Sequence, residues 1–536
     1  MASGTVISRI MGFARAVLTA MAIGVTTNAA DAFGVANQLP NNVYAIIAGG
    51  TLNAVLVPQL VRARSHDDDG RAYINRLLTF IITVFLGVTL LATLAAPALV
   101  SLYTKDWTAD QLALATAFAY WCLPQLFFYG LYSLLGEVLN SRSKFGPYMW
   151  APVLNNVVQL AGLIGYIVIF GTDPQGNRGV AEWSADQIAW LAGTATLGVV
   201  AQALILFAAW RKIGLKLTPN FKWRGFGLRP ALKIASWSLG MVIVTQIGGL
   251  VQTIVASSAI SARALEGVDS GAIASVAAAN IAWLIFMLPH SVATVSIATA
   301  YFTKMSQHAQ AEELTELKSD LVAGLKAISI IALLATVTLI VLAYPAARIF
   351  VGETPATIAL GNVVIAMMFG LLPFSFVYMV QRAFFALEDT QTPFWFTVAQ
   401  ISLHIAGSIT LGAVLPAENL VVGLAALTSA TLLVQAILAS WLLSKRIGAW
   451  GRFDLAKSML KYVIAAGLTL LFGLSILRLV GGVDAKSYAL SGVLPAVTIM
   501  GIVGGSMVIC YLVSLKLLRV RELDAVLQGV KGIFRK

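Results

Sequence analysis

The sequence predicts an all-α, polytopic membrane protein. Hydrophobic residues make up 59% of the 536 residues and charged residues only 11%, whereas soluble proteins carry about 25% charged residues. Apolar runs of about 18 or more residues recur along the chain, and each can cross about 30 Å of hydrocarbon. The runs are too long for barrel strands and lack their alternation, so we expect membrane-spanning helices and no sizeable soluble domain.

The apolar runs predict fourteen transmembrane helices. The predicted spans are 4–25, 33–60, 77–103, 111–139, 148–171, 186–210, 234–260, 271–303, 321–344, 357–386, 394–415, 419–444, 458–477 and 488–515. The net charge of +12 would suggest a nucleic-acid partner if the protein were soluble. In this chain the basic residues lie mainly in alternate loops, where they indicate membrane topology, so we expect no nucleic-acid partner.

Lysine and arginine residues predict the orientation. With a cytoplasmic N-terminus, the outer loops hold six basic residues, five more lie within spans, and the remaining 25 of the 36 fall in cytoplasmic loops and the C-terminal tail. The six outer residues are Lys105, Arg178, Arg263, Arg348, Arg478 and Lys486. This asymmetry follows the positive-inside rule and predicts that both termini are cytoplasmic.

Two pairs of matched motifs predict an internal repeat. Leu39-Pro40 and Leu288-Pro289 are 249 residues apart, and Pro147 and Pro393 are 246 apart. Similar offsets at two places indicate two pseudo-symmetric six-helix lobes with a substrate path between them. The predicted domains are the N-lobe 1–210, a basic cytoplasmic linker 211–233, the C-lobe 234–445, spans 13 and 14 at 446–515, and a basic cytoplasmic tail 516–536 that contacts membrane lipids or forms a solvated helix.

Arg9 and Arg15 lie inside the first hydrophobic span. A cation within a membrane helix costs about 2.5–3.5 kcal/mol on insertion scales and therefore marks a functional site by default. Arg15 lies roughly 16 Å into its helix at about 1.5 Å per residue, too deep to reach the interface easily. The pair predicts a polar cavity that binds an anion. The alternatives are a buried structural ion pair for Arg15 and an interfacial anchor for Arg9.

Span 2 supplies further candidate ligands. Asn37, Asn41 and Asn53 are candidate substrate-binding residues beside span 1. Pro40 interrupts the backbone hydrogen-bond ladder and predicts a bent helix. A flexible, asparagine-rich helix would suit a moving cavity wall, and a static kink is the alternative.

Asp31, Pro40, Gly49 and Gly50 are assigned to gating or charge balance. Asp31 precedes span 2, where it could balance the arginines or act at the outer mouth. A helix-capping aspartate is the alternative. The glycine pair would let span 2 flex or pack closely.

The sequence carries no signature of catalysis or of a resident metal or cofactor. It lacks a metal-ligand cluster, a P-loop and a nucleophile triad. Cys122 and Cys510 both fall in predicted spans and are interpreted as packing residues. We therefore expect a transporter and not an enzyme.

These residues resemble the MurJ/MviN family of lipid II flippases, within the multidrug/oligosaccharidyl-lipid/polysaccharide exporter superfamily. The stretches that carry the resemblance are Ser8–Arg15, Asp31–Phe33, Asn37–Asn41, Leu139–Asn140 with Phe145, Ala151–Asn155, Arg382–Leu387, Asp389–Thr390 and Thr392–Pro393.

The resemblance implies V-shaped lobes and two extra helices that extend a hydrophobic groove. It implies alternating-access movement of lipid II, the undecaprenyl-diphosphate-linked peptidoglycan precursor, across the bacterial plasma membrane, and hence a role in cell-wall synthesis and cell shape beside cell-wall synthesis proteins. Arg9 and Arg15 match the family's two span-1 arginines, and Asp31 matches its acidic residue before span 2.

The chain also departs from the family pattern. Tyr44-Ala45 stands where relatives often have a basic pair, Gly49-Gly50 replaces a Glu-Gly, and Leu284 lies near an expected arginine. Asp389 is the candidate for cation coupling that the resemblance suggests. The energy source is left open between Na⁺, H⁺ and the membrane potential.

Other functions remain as alternatives at the level of sequence. One is another lipid-linked polysaccharide flippase, and a second is a drug/cation antiporter of the same superfamily, which usually has cavity carboxylates. A third is a polytopic enzyme acting on polyprenyl lipids, which would need acidic or histidine clusters at one face. A fourth is a membrane scaffold that transports nothing.

Overall fold

The computed structural model of the protein describes residues 2–51, 71–142, 144–211, 218–221, 229–264, 269–483, 487–520 and 522. Within these residues the secondary structure is helical, and they include no strand. The α-helices are α1 (Ala2–Ile23), α2 (Asn28–Thr51), α3 (Arg71–Leu94), α4 (Ala96–Tyr103), α5 (Ala109–Cys122), α6 (Gln125–Ser141), α7 (Phe145–Phe170), α8 (Ala185–Trp210), α9 (Arg229–Ser257), α10 (Val276–Pro289), α11 (Val295–Gln310), α12 (Leu314–Val341), α13 (Ala343–Arg348), α14 (Thr354–Met368), α15 (Leu371–Ala386), α16 (Gln391–Val414), α17 (Ala417–Ile447), α18 (Arg452–Leu479) and α19 (Val493–Leu517).

The predicted all-α, polytopic membrane fold is confirmed. Among the described residues, ten helical segments are long and apolar enough to cross a membrane, or up to twelve if each of two bent pairs is one span. The bent pairs are α3 with α4, at 72°, and α14 with α15, at 41°. Helices α1 and α2 are not among these segments, so the number fourteen is not confirmed.

Prolines mark several interruptions of the predicted spans. Predicted span 3 is divided at Ala95, and a proline occupies the first turn of α4, where its missing N–H and fixed φ are tolerated. Pro124 lies between α5 and α6. Pro289 ends α10 and is followed by a π-helical turn, His290–Thr294, before α11 begins. Since proline removes a donor from the helical ladder, these positions are natural points of bending.

The first compact unit comprises Met1–Ser270 and Ser275–Ala277. In it, α1 packs on α7, α7 on α8, and α2 on both α5 and α9. The buried Phe118 ring contacts Phe33 and Trp183 edge-on, with ring centroids 5.5 and 5.3 Å apart. Helix α7 thus lies against both α1 and α8, which positions the polar side chains described below.

The second compact unit comprises Gly271–Ala274 and Ala278–Lys536. One apolar core joins α11, α12, α15, α16, α17 and α18, and another joins α12, α18 and α19. The lobe boundaries 1–210 and 234–445 stay predictions. Most of the linker 211–233 and most of the tail 516–536 lie outside the described residues.

Polar contacts hold the end of α19 and the residues that follow it against α12 and α18 of the second unit. Lys461 Nζ donates to the carbonyl of Leu518 at 3.0 Å. Lys326 Nζ lies 2.7 Å from Asp454 Oδ2 and 2.9 Å from Glu522 Oε1. Burial alone would raise the pKa of Glu522, but the hydrogen bond and charge of Lys326 lower it overall. The start of the tail is therefore attached to α12 and α18.

Candidate functional site

Arg15 lies on the face of α1 that meets α7. Its Nη1 donates to Gln159 Oε1 at 3.1 Å, and Gln159 is buried while Arg15 keeps part of its surface exposed. Among the described residues, this amide is the hydrogen-bond partner of the guanidinium. A guanidinium has five N–H donors, so one contact with a neutral amide orients Arg15 without neutralising its charge.

Gln159 is itself held by a ladder of carboxamides across α7 and α8. Its Nε2 donates to Asn155 Oδ1 at 2.5 Å, and Asn155 Nδ2 donates to Gln202 Oε1 at 2.7 Å. Gly198 makes room for these groups, because a methyl group there would overlap the Asn155 carboxamide and lie 2.7 Å from Gln159 Cγ. Each amide accepts from one neighbour and donates to the next. The ladder therefore fixes the acceptor that Arg15 meets.

A second polar cluster lies close to Arg15 and includes Asn37. Gln125 Nε2 lies 3.2 Å from Asn37 Oδ1 and 3.1 Å from Thr196 Oγ1. The Tyr129 hydroxyl donates to Gln125 Oε1 at 3.1 Å, and Tyr129 is near enough to Arg15 to interact with its charge. The structure thus brings Asn37 and Arg15 to neighbouring polar clusters of one unit.

Arg9 lies nearer the N-terminus of α1 and is also partly exposed. The adjacent Ser8 accepts two contacts from Asn156 Nδ2, at 2.8 Å to its carbonyl and 3.1 Å to its hydroxyl. These contacts fix the backbone of α1 against α7 one residue before Arg9. Since six residues turn a helix by about 600°, which is about 120° short of two full turns, Arg9 and Arg15 leave α1 in different directions.

Asp31 is fully buried in the first turn of α2, at 0% exposure. Its Oδ2 lies 2.8 Å from Arg263 Nη1, and its Oδ1 accepts from the Ala277 N–H at 2.7 Å. Arg263 also donates to Asn28 Oδ1 at 3.2 Å. The structure therefore pairs Asp31 with Arg263 and joins α2 to the ends of α9 and α10. It does not bring Asp31 into contact with either arginine of α1.

The remaining candidates of span 2 lie further along α2. Pro40 is buried, and the helix continues through it. Asn41 is exposed. Gly49 and Gly50 lie in the last turns of α2. Asn53 lies outside the described residues.

Asn42, which the sequence did not single out as a ligand, connects α2 to two other helices. Its Nδ2 donates to the Tyr103 hydroxyl at 3.2 Å, and its carbonyl accepts from Gln246 Nε2 at 2.9 Å. These contacts join α2 to α4 and α9 just beyond Pro40. A helix weakened by proline is thus supported from its side.

Asp389 is engaged in local turn chemistry. Its Oδ1 accepts from the Thr392 N–H at 2.9 Å and its Oδ2 from the Thr392 hydroxyl at 2.7 Å, an arrangement that starts α16. In the described part of the chain, no group of three His, Cys, Asp or Glu side chains is placed to hold a metal. Coupling through Asp389 stays a prediction.

The carboxamides of α6, α7 and α8 are functional candidates that were not predicted from the sequence. Gln125, Gln159 and Gln202 are uncharged and stand singly in apolar helices. The sequence signal that could have identified them is their occurrence within predicted membrane spans, where a polar amide needs a hydrogen-bond partner.

Comparison with known proteins agrees along most of the chain. A family profile described as "Lipid II flippase MurJ" matches residues 19–499. A probable lipid II flippase MurJ of Rhizobium meliloti (strain 1021) is 27% identical over 528 residues, covering 95% of this chain and 91% of the relative. The corresponding Vibrio cholerae protein is 25% identical over 545 residues, covering 97% and 95%.

Solved structures show the same fold. The structure described as "Lipid II flippase MurJ, inward closed conformation" superposes with a TM-score of 0.70 at 18% identity, covering 94% of this chain and 98% of that one. A mutant of a MATE transporter of Vibrio cholerae gives a TM-score of 0.55 at 14% identity, covering 83% and 93%. The arginine-bearing first helix, the all-helical membrane fold and the extent of the profile match lead to one assignment: the chain belongs to the lipid II flippase MurJ family.

Proposed function

We propose that this protein moves lipid II from the inner to the outer leaflet by alternating access, with Arg15 as the principal ligand of the diphosphate. The observation that carries the proposal is the Arg15–Gln159 contact in a chain of this family. Arginine matches phosphate oxygens through two parallel N–H donors. An amide partner leaves that positive charge available, whereas a carboxylate would neutralise it.

Arg9 and Asn37 complete the proposed site. Arg9 supplies a second cation on α1, and Asn37 contributes an amide through the Gln125 cluster near Arg15. Charge-assisted hydrogen bonds to the diphosphate are roughly twice as strong as neutral ones. The head group would thus be held by α1 and α2 while the prenyl chain stays in lipid.

The buried Asp31–Arg263 pair has a different role in this proposal. Both side chains are almost inaccessible, at 0% and 4% exposure, so neither is placed to bind a phosphate. The pair instead holds the start of α2 against α9 and α10. We assign Asp31 to maintaining the position of α2 and not to substrate binding.

Location and partners follow from the same proposal. The distribution of basic residues supports cytoplasmic positions for both termini, and membership of the lipid II flippase family supports a location in the bacterial plasma membrane. The substrate is a product of cell-wall synthesis, so cell-wall synthesis proteins are the proposed partners. The protein would act as a transporter without changing covalent bonds, and a coupling cation or the membrane potential would supply its energy.

No observation favours the antiporter alternative. The likeness to the Vibrio cholerae MATE transporter, at 14% identity, concerns the fold alone. The proposed site carries arginines and neutral amides, whereas a binder of organic cations requires negative charge or electron-rich surfaces.

A leaflet-accessibility assay of lipid II in cells depleted of the protein tests this function. Depletion should lower outer-leaflet lipid II, and wild type should restore it. Arg15→Ala should fail and Arg15→Lys should restore it only partly, since lysine lacks the fork geometry. Arg452→Ala, which removes an exposed arginine at the start of α18, is the matched control and should restore it fully.

Two results would reject parts of the proposal. Unchanged outer-leaflet lipid II after depletion would reject the function. Full restoration by Arg15→Ala, at a normal amount of protein in the membrane, would reject the role of Arg15 alone.

A further inference from the structure

A buried polar strip joins α16 to α17 in the second unit. Gln400 Nε2 donates to Thr431 Oγ1 at 3.1 Å, and Gln435 Nε2 donates to Thr397 Oγ1 at 3.3 Å. All four side chains are buried. The contacts resemble the amide ladder between α7 and α8, since each pair of helices is joined by carboxamide hydrogen bonds within the membrane span.

The same face of α16 continues to His404 and Ser408, where the pairing stops. The two residues are 3% and 0% exposed. Among the described residues, no hydrogen-bond partner is found for either ring nitrogen of His404 or for the hydroxyl of Ser408. By contrast, Thr410 donates to the carbonyl one turn back. Helices α16 and α17 are closely packed at this level, as a methyl group added to Gly407 would lie 2.6 Å from Leu427 Cδ1.

This environment opposes a charged imidazole. A neutral imidazole has one donor and one acceptor, whereas its protonated form has two donors and a full charge. Burial without partners is costly for either form and more so for the cation. The conformation described here therefore favours neutral His404.

The described helices packed against α16 place no negative charge beside His404 that would offset the cost of protonating it. His404 is the only titratable side chain of α16, and it lies in the middle of the helix. Helix α17 carries Glu418, Lys445 and Arg446 near its ends. Helix α15 carries Tyr378 and Arg382, and these two bond to each other at 2.6 Å.

We propose that His404 is the proton-binding site of the transport cycle, neutral in the conformation described here and protonated in one that admits water between α16 and α17. The proposal rests on the transport function proposed above. A proton from water forms an N–H bond with the imidazole, and that bond breaks when the proton returns to water on closure. A ligand that binds only one of two conformations shifts the equilibrium toward it, so acid should favour the second conformation.

Spin labels at Gln391 and Arg446, which are exposed residues at the start of α16 and the end of α17, can report the separation of these two helices in a cysteine-free protein. The distance distribution is measured at pH 8 and pH 5.5 in liposomes without substrate. If the second conformation binds the proton ten times more tightly, the ratio of the two populations changes by up to about tenfold. We expect a reversible acid-induced change in the wild type.

His404→Gln and His404→Leu should both abolish that acid response. The leucine variant should keep its thermal stability, because it removes an unpaired buried polar group. His290→Gln and His308→Gln are the matched controls: His290 bonds to Ser375 at 3.0 Å and His308 contacts Glu313 at 2.7 Å, and both variants should retain the response.

Several results would overturn the proposal. These are a wild-type distribution that does not change with pH, a wild-type response in the His404 variants, or loss of the response in His290→Gln. Lipid II flipping by the wild type at pH 8 is measured in parallel. Its absence would reject the proposed function, while the distance measurement, which needs no substrate, would still decide the role of His404.

Discussion

Arg15 and Gln159 show how a membrane helix can hold a cation and leave its charge available to bind an anion. An arginine in a helix could be stabilised by a carboxylate, but the resulting ion pair would compete with an anionic ligand. The neutral ladder of Gln159, Asn155 and Gln202 orients the guanidinium and leaves the net charge at +1. Gln159 is therefore a positioning residue in our account.

The charge of the residue at position 159 should be decisive. Gln159→Glu can still accept from Arg15, but it would neutralise the arginine and compete with the diphosphate. We expect it to lower the rate of lipid II flipping in proteoliposomes by more than about tenfold, since hydrogen bonds to charged groups contribute about 1.5–3 kcal/mol. Gln159→Leu should act mainly by misplacing Arg15.

The matched control at this position is Gln307→Glu, which adds the same charge at an exposed site of α11. It should flip lipid II at the wild-type rate. Wild-type flipping by Gln159→Glu would show that the charge of Arg15 is not used.

The sequence identified the charged candidates Arg15 and Asp31 but not the residues that contact them. Arg15 was identifiable because a charge within an apolar run is costly. Gln159 carries no such signal, and its bond with Arg15 joins residues 144 positions apart. Asp31 was recognised as a candidate, but its partner Arg263 lies 232 positions away and was predicted only to be an outer-loop residue. Pairings of this kind depend on helix packing, which spacing along the chain does not encode.

The packing of α7 on α8 determines whether the ladder can form. Gly198 faces the Asn155 and Gln159 side chains, and a methyl group at this position would overlap the Asn155 carboxamide. Any side chain there must push the two helices apart or displace the amides. Because α1 packs on α7, such a displacement would also move the acceptor of Arg15.

Gly198→Ala should therefore destabilise the protein and slow transport. Overpacking a close interface typically costs about 1–3 kcal/mol, which should appear as a lower Tm in detergent together with reduced flipping. Gly249→Ala on α9 is the control, because a methyl group there meets nothing within 4 Å. A Tm for Gly198→Ala equal to that of the control would contradict the close-packing account.

Element boundaries were predicted best where an apolar run is continuous. Predicted spans 394–415 and 186–210 agree with α16 and α8 to within a few residues. Predicted span 77–103 is instead divided by a 72° bend between α3 and α4. Hydropathy reports which residues avoid water, but it does not report backbone direction, so a bend within an apolar run is invisible to it.

The orientation of the whole molecule depends on charges in loops, many of which lie outside the described residues. The all-helical fold followed from composition and from the length of the apolar runs. The membership of the family followed from residues distributed over both halves. The orientation itself stays a prediction that labelling can test.

Single cysteines in a cysteine-free background should label according to side. Cysteine at Ser65 or Ser141 should be protected from an impermeant reagent added outside intact cells, and cysteine at Asn177 should react. The physical reason is the excess of lysine and arginine predicted on the cytoplasmic side. Labelling of the Ser65 position from outside would reverse the assigned orientation.

Competitive binding of lipids to the purified protein measures whether Arg15 recognises the diphosphate of lipid II. Lipid II and undecaprenol, which lacks the diphosphate, are compared by native mass spectrometry on the wild type and on Arg15→Ala. We predict that the wild type binds lipid II more tightly than undecaprenol and that Arg15→Ala loses most of this preference, because the charge-assisted contacts are removed. Equal affinities for the two lipids in the wild type, or an undiminished preference in Arg15→Ala, would contradict the claim.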